Sequence, residues 1–198
     1  MKMKTKLIGL LVVIALITPS ILSAQDKKHE IEAGIGVFSI NEIVDTFSDI
    51  LVSIIPGVKM DDSESYGSLH LGYKYRPTDR YGIGGVFVYD YSTAKGVVND
   101  VKTGKFINRH YTLAAEIDYT YFRSGNFSMY GLAGIGGTLH TQKYNDNDDS
   151  QQDGSDSQPY FTFQVTPVGL KYGNNFGGFA ELGFGYRGIV SVGLFARF

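Results

Sequence analysis

The sequence predicts an all-β fold: an eight-stranded antiparallel up-and-down transmembrane barrel with one amphipathic helix in its first external loop. Three observations predict it. Apolar and polar residues alternate through eight segments of the 198-residue chain, the period-2 signature of strands with two unlike faces. Gly is abundant at 25 residues, and the aromatics are 14 Tyr and 13 Phe with no Trp, a composition that suits many short strands. The last stretch, Gly188 to Phe198, alternates to its final residue. Val190, Val192, Leu194, Ala196 and Phe198 share one face, and Ser191, Gly193, Phe195 and Arg197 share the other. An open edge of that kind invites aggregation in water, whereas a strand that closes a barrel leaves no edge.

The chain begins as an export signal would. Lys2, Lys4 and Lys6 form a basic region, Leu7 to Ile17 an apolar run, and Leu22-Ser23-Ala24 a cleavage site before Gln25. Residues 1–24 are therefore read as a signal peptide and 25–198 as the barrel. Mean hydropathy is −0.07, too low for a helical membrane protein. A barrel conceals its apolar residues in alternation, so its average looks soluble. The formal net charge of −2 gives no reason to expect a nucleic-acid partner. The absence of Cys excludes disulfides, thiolate metal sites and a lipid-anchored cysteine.

The first strand is read at His29 to Phe38, with Ile31, Ala33, Ile35 and Val37 on one face. The period then changes. Ile40, Ile43, Val44, Phe47, Ile50, Leu51, Ile54 and Ile55 recur at three- and four-residue steps, as on an amphipathic helix. Ser39 with Glu42 reads as its capping box, and Pro56-Gly57 as its stop, so residues 40–57 form a helical loop. This stripe is the candidate interaction surface. It carries no Lys or Arg, so attraction to anionic lipid is not its purpose.

Further strands are read at Ser65–Arg76, Arg80–Tyr91, Phe106–Arg123, Phe127–Thr141, Tyr160–Tyr172 and Phe176–Tyr186. Ala94–Lys105 and Lys143–Pro159 read as polar loops. The fifth strand carries small and apolar residues on both parities, which leaves its facing open. The sixth changes parity near Pro167, which signals a bulge.

With the apolar parity outward, twelve charged or titratable side chains point into the barrel: Glu30, Glu32, His70, Lys74, Arg76, Asp90, His110, Glu116, Asp118, Glu181, Arg187 and Arg197. Eight strands enclose a space only wide enough for side chains. Both signs are present, so an ion-pair network that fills the lumen is expected. A conducting or ion-binding lumen is the alternative.

The acidic stretch Asn145–Asp156 offers oxygen ligands for calcium. It lacks the spacing of the twelve-residue calcium loop, so a solvated loop is expected and no metal or cofactor is assigned. The four histidines, His29, His70, His110 and His140, fall on different strands and form no short motif with a Ser. No catalytic activity is expected.

Short connections follow the second, fourth and sixth strands, and long ones follow the first, third and fifth. An even strand number returns both termini to one side. In this asymmetry, in strand count and in the final strand ending at Phe198, the chain resembles the small eight-stranded outer-membrane barrels, the OmpA-transmembrane and OmpX-like group. The resemblance implies a Gram-negative outer membrane, contact with its lipid, and Phe198 as an assembly signal read by the barrel-assembly machinery. It implies no activity. A structural or surface-interaction role, with a surface protein or host surface as partner, is the function expected. A narrow channel for ions or small solutes comes second, and a lipid-modifying enzyme third.

Overall fold

The computed structural model describes residues 27–41, 58–98, 101–146 and 154–198. Eight strands pair in sequence order and the last closes on the first. They are β1 (His29–Val37), β2 (Val58–Tyr75), β3 (Tyr81–Val98), β4 (Val101–Ser124), β5 (Phe127–Asp146), β6 (Gly154–Gly173), β7 (Phe176–Gly185) and β8 (Val190–Arg197). Every pairing is antiparallel. Closure is made by Glu30↔Arg197 through Val37↔Val190, with Phe198 and His29 exchanging backbone hydrogen bonds of 3.0 and 2.9 Å. Rings of His29 and Phe198 stack at 5.7 Å. The terminal aromatic thus sits on the seam.

Alternation sets the facing of each strand. On β1 the residues run buried and exposed in turn from Glu30 to Val37. Outside lies an apolar belt, with Leu113 70% and Phe161 71% exposed. Tyr89 and Tyr111 bound it at one level, and Tyr75, Tyr81, Tyr119 and Tyr121 at the other, all of them outward. Tyr111 to Tyr121 is ten steps along β4. At ~3.3 Å per residue and a tilt near ~40°, that is about 25 Å of height, the band a barrel needs to match hydrocarbon.

Five strand boundaries differ from the sequence reading. The Ala94–Lys105 stretch is not a loop: β3 runs to Val98 and β4 starts at Val101. The Lys143–Pro159 stretch likewise extends β5 to Asp146 and starts β6 at Gly154. Neither stretch keeps an apolar face of one parity, so they carry no period-2 signal, yet backbone pairing in a hairpin does not require one. β2 also starts earlier than Ser65, at Val58.

The fifth strand's facing is settled by burial: Tyr130, Leu132 and Thr138 point inward. Near Pro167, the β6–β7 register shifts between Val165 and Val168, the irregularity expected from the parity change. Helix begins at Ile40–Asn41. Ile43, Val44, Phe47, Ile50, Leu51, Ile54 and Ile55 lie outside the described residues, as do residues 1–24, expected from the sequence to be a signal peptide, and residues 147–153.

The strands are unequal in length, and this shapes one end. β7 stops at Gly185, β8 starts at Val190 and β1 stops at Val37. The β1–β2 pairing ends at Gly36↔Ser68 and the β6–β7 pairing at Gln164↔Gly185. Above that rim β2 through β6 continue as a five-stranded sheet, paired up to Val58↔Val98, Val98↔Val101, Gly104↔Asp146 and Tyr144↔Gly154. Among the described residues, the strand pairing adds no further strand along its two edges, 58–67 and 154–162.

Candidate functional site

The candidate site is the lumen, and its residues come from all eight strands. Its centre is Arg187, fully buried. The β7–β8 connection folds inward over the rim. Arg187 N–H donates to Gln164 Oε1 at 2.8 Å, and its carbonyl accepts from Ser68 Oγ at 2.9 Å. That carbonyl lies 1.7 Å from where a Cβ on residue 36 would stand. Only Gly36 permits this approach.

From there the Arg187 guanidinium spans the barrel. Its Nε donates to Glu116 Oε1 at 2.7 Å, and it also pairs with Glu32 and, at 3.3 Å, with Glu181. Lys74 Nζ lies 3.2 Å from Glu32, 3.3 Å from Asp118 and 3.7 Å from Glu116. Arg76 forks between two carboxylates, at 3.0 and 2.9 Å from Glu30 and twice at 3.1 Å from Asp118. Arg197 Nε donates to Glu30 at 2.6 Å. Nine of the twelve side chains expected inward therefore form one continuous network.

Lys171 is the member that sequence reading missed. Its Nζ is 2.5 Å from Glu30 and 3.6 Å from Glu32, and it stands 4.8 Å from the centre of the Tyr130 ring. With it the network holds five acids (Glu30, Glu32, Glu116, Asp118, Glu181) and five bases (Lys74, Arg76, Lys171, Arg187, Arg197). Buried charges that cannot reach water require such neutrality. A signal was present in the sequence: the expected inward acids outnumber the bases, and the bulge at Pro167 turns Lys171 inward.

Tyrosines complete the packing. Tyr130 O–H donates to Glu181 at 2.5 Å and Tyr186 O–H to Glu116 at 3.0 Å. Each large group lies over a glycine, Tyr130 over one of a neighbouring strand and Tyr186 over one across the lumen. A Cβ on residue 134 would stand 2.0 Å from the Tyr186 oxygen, and one on residue 169 would stand 2.4 Å from the Tyr130 ring. Gly72 and Gly82 make the same room for Glu32 and Asp118. The glycine richness of the chain is in part this complementarity.

The remaining three expected residues stand apart from the network. His70 is buried, with Nε2 3.4 Å from Ser191 Oγ. Its Nδ1 has no hydrogen-bond partner among the described residues, so no acid orients this imidazole as a catalytic Ser–His pair requires. Asp90 and His110 belong to an upper group under the long hairpins. Asp90 accepts from Ser39 Oγ at 2.9 Å and from Asn41 Nδ2 at 2.7 Å. Tyr160 O–H donates to Asn41 Oδ1 at 2.6 Å. The His110 and His140 rings stack at 4.4 Å and 7°.

So the chain leaving β1 does not rise with the hairpins. Phe38 takes a positive φ of 58°, and the next residues turn into the mouth, where Ser39 and Asn41 are fully buried. Sequence reading assigned Ser39 only to helix capping. Among the described residues, no group of three or more His, Asp or Glu side chains is placed to hold a metal ion.

No family model and no curated protein matches this chain. Among solved structures it is similar to Ail, the attachment invasion locus protein of Yersinia pestis, at 18% identity and a TM-score of 0.45, covering 86% of this chain and 93% of that one. Ail in complex with the heparin analogue sucrose octasulfate is similar at the same identity and coverage, with a TM-score of 0.43. The fold itself rests on this chain's own strand pairing, a closed eight-stranded up-and-down barrel of the architecture found in small outer-membrane barrels.

Proposed function

We propose that this protein is a Gram-negative outer-membrane barrel with a closed lumen, whose role is to bind a partner at the outer surface. The observation that carries the reading is the five-stranded sheet standing above the rim, along whose outer edges, 58–67 and 154–162, the strand pairing adds no further strand among the described residues. Water-exposed strand edges are ordinarily shortened or covered. Here five strands are lengthened instead, while three stop at the rim. An edge of this kind suits an extended polypeptide, which adds as a further strand through main-chain hydrogen bonds.

The turn side, which carries both termini, faces the periplasm in this reading, and the hairpins face outward. The neutral ion-pair network supports a lumen that is filled and does not conduct. The buried His70–Ser191 pair without an acid supports a protein with no catalytic activity. The barrel-assembly machinery, acting on β8 and Phe198, and the surrounding lipid are its proposed partners in the envelope.

The test is to shorten the β3–β4 and β5–β6 hairpins to the rim and compare adhesion of bacteria displaying each form to host-cell surfaces. Circular dichroism of the purified proteins reports whether the barrel is intact. Loss of adhesion with an intact barrel is expected. Full adhesion by the trimmed barrel sinks the reading. Removing Asn41 to Val58 separates the helical loop from the sheet as the carrier of that adhesion.

A further inference from the structure

The outer face of the barrel is broken in one patch near the turn side, where three successive strand pairings lose their register. The shifts fall between Thr120 and Phe122 in the β4–β5 pairing, between Tyr130 and Leu132 in β5–β6, and between Val165 and Val168 in β6–β7. Tyr121 is the extra residue on β4, and β6 carries an extra residue against each of its neighbours. A bulge re-aims side chains and is a built feature of a sheet, so three side by side call for a reason.

Together they open an apolar groove of about 320 Å³ in the lipid-facing belt. Its floor is β5, where Gly131 and Ala133 lie opposite Tyr119 and Ile117 of β4. On the other side Ala133 pairs with Val165 of β6, which is exposed, and the exposed Ile135 stands at the end toward the middle of the belt. At the girdle end Tyr121 reaches across β5, and its hydroxyl donates to the Pro167 carbonyl of β6 at 3.4 Å. The Tyr81 and Tyr119 rings, 5.0 Å apart, line the near wall.

Gly131 shows that the groove is kept open. Its φ lies outside the left-handed region, and a Cβ there would meet only the Thr166 and Pro167 carbonyl oxygens, at 3.5 and 3.8 Å. Neither backbone strain nor crowding therefore requires glycine at this position, in contrast to Gly134 and Gly169 on the lumen side. What a larger side chain would do here is fill the groove.

A cation stands at the girdle end of the same wall. Arg80, exposed and immediately before β3, has its Nη1 3.5 Å from the Tyr119 hydroxyl, which places the guanidinium on the outer face over the tyrosines. Asp79, its neighbour in the turn, is directed to Arg123 at 3.7 Å. Tyrosine girdles mark the headgroup level of a bilayer, so Arg80 lies at the depth of the lipid phosphates. A planar guanidinium matches two oxygens of such a phosphate.

We propose that this groove is a binding site for one glycerophospholipid of the leaflet on the turn side, with an acyl chain lying on Gly131 and Ala133 and the phosphodiester resting on Arg80. The volume falls at the small end of ligand pockets, and a slot that runs along the belt suits a chain better than a compact molecule. Apolar floor and cationic end match the two halves of the lipid in the order a bilayer presents them. The proposal rests on the membrane-spanning reading of the belt and does not involve partner binding at the hairpins.

The experiment is native mass spectrometry of the detergent-purified protein titrated with dioleoylphosphatidylglycerol, or with dioleoylglycerol, which has no phosphate. One retained phospholipid per barrel is expected, weakened at least about tenfold in Arg80→Gln and in Gly131→Leu. Retention is expected to be unchanged in Gly137→Leu, an exposed glycine of β5 nearer the hairpins, where a Cβ meets only the Tyr160 carbonyl oxygen at 3.9 Å. Circular dichroism confirms the barrel in each variant, and the exposed Arg80→Gln keeps the test decisive if Gly131→Leu does not fold. Equal retention by all variants, equal binding of dioleoylglycerol, or a dimer that Gly131→Leu abolishes overturns the proposal. Protease protection in vesicles of the same phospholipid separates the two readings: failure to insert overturns both, whereas insertion without retention that depends on the groove overturns this one alone.

Discussion

Arg187, in the connection between β7 and β8, meets Glu116 on the opposite wall, with Nε 2.7 Å from Oε1 and both residues buried. A guanidinium that spans the barrel decides what the lumen can be. It ties β4 to the β7–β8 hairpin, and through Glu32 to β1. Three walls of the ring therefore share one side chain, and an open channel along the axis would have to displace it.

The first prediction concerns that tie. Arg187→Met leaves Glu32, Glu116 and Glu181 short of a counter-charge in a water-poor lumen. Removing one partner of a buried pair costs about 3–5 kcal/mol, because an uncompensated charge stays behind. The urea midpoint for unfolding in detergent micelles is expected to fall accordingly. Glu116→Gln in the same background removes one of the stranded charges, so the double variant should be more stable than the sum of the two single losses. Additive losses would mean that the two groups do not interact.

The second prediction tests the glycine complementarity. A Cβ at residue 169 would lie 2.4 Å from the Tyr130 ring. Gly169→Val forces that ring to move, and overpacking of this kind costs about 1–3 kcal/mol. Tyr130→Leu in combination recovers part of the loss by vacating the space, despite giving up the bond to Glu181. Failure of the rescue, read by the same urea titration, would show that Gly169 is needed for its backbone instead.

Much of this was legible in the sequence, for a physical reason. A closed barrel imposes one strict rule, period 2, on every residue of the belt, so Ile31 to Val37 or Tyr111 to Tyr121 declare their facing without any partner. The alternation from Val190 to Ala196 declares the facing of β8 in the same way. Legibility failed where that rule lapses. Above the rim no apolar face is required, so Ala94 to Lys105 read as loop although its backbone is paired. At the Pro167 bulge the parity changes, which hid Lys171. The inward turn of Ser39 and Asn41 depends on the positive φ of Phe38 and on Asp90, fifty residues away. No local pattern could announce it.

The third prediction concerns conduction. Lys74 contacts three carboxylates and Arg76 two, so the axis is crossed at several levels. The protein inserted in a planar bilayer is expected to be silent. Discrete conductance steps that change on neutralising Glu116 or Asp118 would establish an open charged lumen and overturn the closed-barrel reading. Insertion is checked independently by protease protection of the belt, so silence has one meaning.

The fourth prediction addresses the segment that enters the mouth. Asp90 holds Ser39 and Asn41, and Tyr160 holds the other end of the Asn41 amide. β1's continuation is therefore clamped between β3 and β6 by a single amide, with its nitrogen on one wall and its oxygen bonded to the other. Asp90→Ala leaves two buried donors without that acceptor, at about 1–3 kcal/mol, and thermal melting should move down. Tyr160→Phe removes one bond and leaves the Asn41 oxygen short of a donor. If the amide acts as one clamp, losing either wall frees it from the other, and the two substitutions together cost less than their sum. The expected coupling is about 0.5–3 kcal/mol in a double-mutant cycle. A cycle that closes to zero would mean that the two walls hold Asn41 independently, and the chain would then enter the mouth for reasons other than this clamp.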